Sequence, residues 1–252
     1  LCMTLSIDMV EKTFIYGDSF SNLECLRTMS DIVQEQMWYA PFVQGRLIDR
    51  TKPGKSPMTM FLQATHDALT EQRPVRMIVA LGACVRLPVY TDGWYDEERL
   101  GVVDPTTPLP SPARKTTLTD CEPYFDRVGI NRQNTQQFHP TMLWANIYKN
   151  ISDLHTRCDV DGHQLMMLHM STTPDNTWIN KQHPLVRPLC EHAESLDNYI
   201  TEKHSCNQLC RQQKIRPLDY HTYGWEGHHG PEGQQHFGAR VSAIVAERRV
   251  WN

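Results

Sequence analysis

Short apolar runs alternate along this chain with longer stretches whose apolar residues recur at helical spacing, and the two patterns predict strands and helices in turn. Thr13-Phe14-Ile15-Tyr16 is the first run, aromatic and β-branched, and it ends at Gly17. Polar residues dominate 22–36 and predict a loop. Trp38, Phe42, Val43 and Leu47 then share one face of a helix expected over about 38–48. Prolines and glycine break the pattern across 50–57, and a helix from about Met58 to Glu71 follows, closed by Arg73-Pro74. Val75 to Gly82 is the clearest buried strand. Beyond it the pattern predicts a helix from about Thr141 to Leu154 and a strand over Gln164–Met170, whose methionines suit core packing. A single amphipathic helix through Leu189, Ala193, Leu196 and Ile200 is expected to run to about Gln213. A strand at Ile215–Tyr220 and a last helix near Gly233–Arg249, with Phe237, Val241, Ile244 and Val245 on one face, complete the series.

Strands alternating with helices imply a mostly parallel sheet covered on both faces. The expected fold class is therefore α/β, a single three-layer α/β/α domain over residues 1–252. A segment at about 88–140, rich in proline, threonine and aspartate, is expected to be a long insertion loop, of the kind that usually carries function or disorder. A chain of 252 residues is long enough for one such core.

The net charge of -4 offers no electrostatic reason to expect nucleic acid or an anionic membrane as partner. No apolar run approaches the ~18 residues of a membrane span, and the N-terminus has neither the basic region nor the apolar stretch of a signal peptide. Starting at Leu1, the chain is compatible with a leader already removed. Eight cysteines, an even number, permit disulfides without requiring them. Cys206 and Cys210, with His204 nearby, suggest a metal clip, but their spacing matches no common zinc pattern, and core or disulfide use is the favoured reading. Asn150-Ile151-Ser152 is a glycosylation sequon that matters only in a secreted protein.

The candidate chemistry begins at Gly17-Asp18-Ser19. A glycine at the carboxyl end of a strand allows a sharp turn that presents the Ser19 hydroxyl where α/β sheets bind ligands. The chain contains no Gly-x-Gly-x-x-Gly turn, phosphate loop, His-Glu-x-x-His or Gly-x-Ser-x-Gly elbow. Ordinary nucleotide enzymes, zinc proteases and standard α/β hydrolases are thereby disfavoured.

Four separated blocks together resemble the SGNH (GDSL-type) hydrolases. Gly17-Asp18-Ser19 is similar to the nucleophile block and Pro53-Gly54-Lys55-Ser56 to the second block. Leu81-Gly82-Ala83-Cys84 stands where the family reads Gly-x-Asn-Asp, and Glu226 to Gly233 stands where it reads Asp-x-x-His before a helix. Within that superfamily the chain most resembles the rhamnogalacturonan acetylesterase type of carbohydrate esterase. That likeness rests on Gly54-Lys55-Ser56, the long segment after Gly82, and Ser171-Thr172-Thr173-Pro174-Asp175-Asn176-Thr177-Trp178.

The resemblance implies an SGNH/flavodoxin-like fold and acyl transfer through an acyl-enzyme. Ser19 would be the nucleophile, and Asp18 would organise the turn. A serine hydroxyl needs an imidazole to take its proton, and the imidazole needs a carboxylate to fix its tautomer. Register with Pro231 and Gly233 favours His228 as base but puts Trp225 at the carboxylate position. A shift of one residue makes His229 the base and Glu226 the carboxylate, which is the chemically complete reading. The backbone N–H groups of Ser19 and Gly54 would form two arms of the oxyanion hole. Cys84, a weak donor, stands where the family has its asparagine arm, so activity is expected to be reduced. Asn176 and Trp178 would bind substrate, with Trp94 and Tyr95 as further sugar-stacking candidates; core packing is the alternative for the three aromatics.

The expected function is hydrolysis of small acyl esters, acetyl groups on a carbohydrate above all, by a monomer that uses no cofactor or metal and binds a small-molecule or oligosaccharide ester. The alternative is a catalytically weak or inactive protein of this fold that binds carbohydrate. A metal-dependent hydrolase built on His221, His228, His229 and His236 is a third, less favoured reading. A secreted or periplasmic location is expected, with the cytoplasm as alternative.

Overall fold

Lys12–Gly17 forms β1, the strand from which the sheet grows in both directions. In the computed structural model, which describes residues 10–53, 55–82, 140–171, 181–248 and 250–251, β1 pairs in parallel with β2 (Arg46–Asp49) on one side and β3 (Arg76–Leu81) on the other. Next to β3 lie β4 (Gln164–His169) and then β5 (Tyr199–Ile200), again parallel. The spatial order β2-β1-β3-β4-β5 is the flavodoxin-like one. Its strand order reverses between β1 and β3, and the crevice at their carboxyl ends is where such sheets bind ligands.

Parallel strands buried on both faces need continuous apolar sequence, and the period-2 alternation of side chains sorts these residues into two cores. Phe14, Tyr16, Met77, Val79, Leu81, Leu165 and Met167 pack on one face with α2 (Pro57–Thr70), α3 (Pro140–Asp161) and α4 (Arg187–Glu194). Ile15, Ile78, Ala80, Met166, Leu168 and Ile200 pack on the other with α1 (Leu23–Arg27), α5 (Cys206–Gln212) and α7 (Pro231–Arg248). The architecture is thus a three-layer α/β/α sandwich with a parallel sheet, as the alternation predicts. Fully buried anchors such as Phe61 and Phe237 are worth roughly 1.5–3 kcal/mol each in apolar burial. Among the described residues no helix is long and apolar enough to cross a membrane. The described cysteines 25, 158, 190, 206 and 210 are unbridged.

Three expected elements differ. The helix over 38–48 is instead a 3-10 turn at Ala40–Phe42 followed by β2. Gly45 sets this break: its φ of +66° and its approach to the Glu11 carbonyl, 2.2 Å from where a Cβ would stand, suit glycine alone. The helix expected from Leu189 to Gln213 is two helices with β5 between them. α4 stops at Glu194, and Asp197-Asn198 turns the chain so that Tyr199 and Ile200 join β4. Ile215–Tyr220 is not a strand. Pro217 has no N–H for a ladder, and the Leu218 N–H goes to the His228 carbonyl at 2.7 Å. The segment then enters α6 (Tyr220–Tyr223).

Lys55, in the second of the four sequence blocks, is buried with only 3% exposure. Its Nζ donates to the Arg50 carbonyl at 2.5 Å and to Gln63 Oε1. Burial, aided by the nearby cations Lys52 and Arg50 and opposed by Asp49 and Asp67, pushes its pKa down to about 7. The unfolded chain therefore binds the proton more tightly between that value and ~10.4, and stability should rise with pH through this window at up to about 1.4 kcal/mol per unit. Urea unfolding at successive pH values should show this slope in the wild type and its loss in Lys55→Met; equal slopes would contradict it.

Candidate active site

Gly17 ends β1, and the chain closes a tight turn in which the Ser21 N–H bonds the Asp18 carbonyl at 3.1 Å. The Asp18 carboxylate accepts from the Phe20 N–H at 3.1 Å. Asn22 caps α1 by accepting from the Cys25 N–H at 2.7 Å, while its amide reaches Thr51 Oγ1 at 3.0 Å. Trp38 Nε1 donates to Ser21 Oγ at 3.2 Å. The turn is thus held by buried polar bonds on both sides of Ser19, which fix the place of its hydroxyl.

Across the carboxyl end of β3, Gly82 gives the wholly buried Asp18 carboxylate its space: a Cβ at 82 would fall 1.8 Å from Asp18 Oδ2. Gly82→Ala should therefore displace Asp18 and the serine turn with it, lowering stability by roughly 1–3 kcal/mol and turnover with it. Denaturant titration alongside ester assay checks this; a variant with wild-type values in both would refute the contact.

His228 Nε2 stands 2.8 Å from Ser19 Oγ. On the other side of the ring, Nδ1 stands 2.6 Å from Asp219 Oδ2, and the His228 backbone N–H donates to Asp219 Oδ1 at 2.6 Å. An ionised carboxylate only accepts, so Nδ1 carries the ring proton and Nε2 is free to accept from the serine. Partial burial by itself would raise the Asp219 carboxyl, but the bonds from the His228 ring and backbone outweigh it and hold the carboxyl below its ordinary value. The ring is further fixed by stacking on Phe20, centroids 4.7 Å apart.

Two further contacts make this geometry possible. A Cβ at Gly227 would fall 2.1 Å from Asp219 Oδ1, so only glycine lets the carboxylate reach the backbone there. Gln234, buried in the first turn of α7, donates to the carbonyls of both Phe20 and His229 at 3.2 and 3.3 Å and accepts from the Trp38 N–H. It joins the serine turn to the histidine loop.

Of the residues singled out in sequence, the structure brings Ser19 together with His228, the residue that register with Pro231 favours. His229, the chemically preferred reading, is not the partner of the serine. Its ring is fully buried, and neither nitrogen has a hydrogen-bond partner. Glu226 lies in a helical turn at Gly224–Glu226, and its side chain is outside the described residues. The carboxylate beside the imidazole is Asp219, which the sequence reading missed by assigning it to a strand. The signal present was Pro217, which disfavours a ladder strand and leaves Asp219 to begin a helical turn. Gly54, Cys84, Trp94, Tyr95, Asn176 and Trp178 lie outside the described residues.

No protein-family model matches the sequence, and comparison with curated proteins finds no match. Among solved structures the chain is similar to a G-D-S-L family lipolytic protein from Veillonella parvula DSM 2008, at 12% identity and a TM-score of 0.42 over 93% of this chain and 98% of that one. It is also similar to TesA, at 10% identity and a TM-score of 0.47 over 94% and 99% of the two chains. The acetylxylan esterase Axe2 from Geobacillus stearothermophilus shows 9% identity and a TM-score of 0.45 over 93% and 94%. At these identities the likeness concerns the path of the chain alone, and the Ser19–His228–Asp219 arrangement stands on its own distances.

Proposed function

We propose that this chain is a serine esterase in which Ser19, His228 and Asp219 act as nucleophile, general base and orienting carboxylate. The observation that carries this reading is the continuous hydrogen-bonded series Ser19 Oγ, His228 ring, Asp219 carboxylate at 2.8 and 2.6 Å, set at the carboxyl end of β1. In that geometry Ser19 Oγ attacks the ester carbonyl carbon while its proton passes to His228 Nε2. The tetrahedral intermediate collapses as the protonated Nε2 returns the proton to the leaving alkoxide, giving a Ser19 ester and free alcohol. Water, deprotonated by the same nitrogen, then releases the acid. Asp219 stays ionised throughout and stabilises the imidazolium.

Small acyl esters, acetyl groups on a carbohydrate in particular, are the substrates we favour. That choice rests on the resemblance of the 171–178 segment to its counterpart in carbohydrate acetylesterases. Hydrolysis of p-nitrophenyl acetate should be readily measured for the wild type and abolished in Ser19→Ala. Equal rates for the two would sink the esterase reading and leave a carbohydrate-binding protein of this fold, for which an acetylated oligosaccharide should still bind without turnover.

A further inference from the structure

Behind the candidate base, on the side of the sheet covered by α5 and α7, three potential metal ligands converge. Cys206 and Cys210 lie one turn apart on α5 with their sulfurs 4.0 Å apart. His229 brings its imidazole to them, and the donor atoms of all three residues lie within 4.8 Å of one another. Exposure is 1% for Cys206 and 0% for Cys210 and His229. His204, the sequence candidate, is not in the group.

The imidazole is the unusual member. A fully buried ring nitrogen without a hydrogen-bond partner is costly, and both nitrogens of His229 lack one. Space is kept for this ring by Gly233, where a Cβ would stand 2.9 Å from Nδ1.

We propose that Cys206, Cys210 and His229 form a buried three-coordinate site for a soft d10 cation, with copper(I) the best match. Two sulfurs about 2.3 Å from a cation at 120° stand about 4.0 Å apart, the separation already present between Cys206 and Cys210. Soft thiolates select copper(I) and zinc, but zinc prefers four protein ligands in a closed site, and among the described residues no fourth cysteine, histidine or carboxylate joins the group. Binding forms two metal–sulfur bonds and one metal–nitrogen bond and releases the two thiol protons to solvent. Because His229 follows His228 directly, the cation would tie the base-bearing loop to α5.

The test uses the full chain, reduced and loaded anaerobically with copper(I), then challenged with bathocuproine disulfonate, with zinc(II) and a chromogenic zinc chelator in parallel. Stoichiometric copper(I) should resist the challenge in the wild type and be lost in Cys206→Ser/Cys210→Ser and in His229→Gln. X-ray absorption of the loaded wild type, which depends on no variant folding, should show two sulfur neighbours and one nitrogen. Copper retained equally by the variants, an oxygen- or nitrogen-only shell, retention of zinc alone, or thiols found as a Cys206–Cys210 disulfide that resists reduction would each overturn the proposal. None of these readouts depends on ester hydrolysis.

Discussion

Alanine at His228 should lower kcat/KM for ester hydrolysis by ~10²–10⁴-fold, the usual contribution of a positioned general base, with little change in the folded structure. The ring that accepts from Ser19 at 2.8 Å is partly exposed, so its loss leaves room for water instead of a sealed cavity. His229→Ala should behave in the opposite way. That ring is fully buried and hydrogen-bonds to none of Ser19, His228 and Asp219, so its removal opens a cavity and costs stability, on the order of 1–3 kcal/mol. At a temperature where it remains folded, its turnover should stay within about tenfold of wild type, above the loss expected for the base. Paired kinetics and thermal unfolding of the two variants decide between the adjacent histidines; the reverse pattern would reassign the base to His229.

Asp219→Asn should cost nearly as much, ~10²–10⁴-fold in kcat, through the tautomer of the ring. Oδ1 already accepts the His228 backbone N–H, so the new amide nitrogen must face Nδ1. An N–H donor at that place favours the tautomer with the proton on Nε2, which cannot accept from Ser19. The variant should bind substrate normally and fail in acylation, so KM should move far less than kcat. Glu226→Gln, which removes the carboxylate two residues before His228, should leave turnover near wild type. The Asp219 carboxyl also links stability to pH. Its folded pKa lies below the unfolded value of ~3.9, so its contribution is present above that pH and lost as pH falls through the lowered folded value. The stability gap between wild type and Asp219→Asn should accordingly close in acid. A gap independent of pH would show that the pair does not contribute in this way.

How much of this was legible in the sequence varied with how local the determinant was. β1, α2, β3 and β4 carry their own periodicity, and Ser19 sits where a strand ending in Gly17 leaves it, so these needed no tertiary information. β2 and β5 are short and take their conformation from neighbouring strands. Arg46–Asp49 has no buried residue, and Tyr199-Ile200 continues the helical spacing of Leu189 and Ala193. Asp219 was hidden because Ile-Arg-Pro-Leu-Asp-Tyr reads as an apolar strand with polar interruptions. Its role depends on the Leu218 N–H bond to the His228 carbonyl and on the clearance at Gly227, both tertiary. The Cys206 and Cys210 pair was visible from its one-turn spacing, but its imidazole neighbour comes from a distant loop. Proximity in sequence pointed to His204, and folding put His229 there.

The most direct measurement is covalent trapping of the nucleophile. Incubation with a fluorophosphonate, which transfers its phosphonyl group to an activated serine oxygen with loss of fluoride, followed by peptide mass spectrometry, should place one adduct on Ser19 in the wild type. The adduct should be absent from Ser19→Ala and form far more slowly in His228→Ala and Asp219→Asn. An adduct on another residue, or an unmodified Ser19 in protein that still turns over ester, would contradict the account.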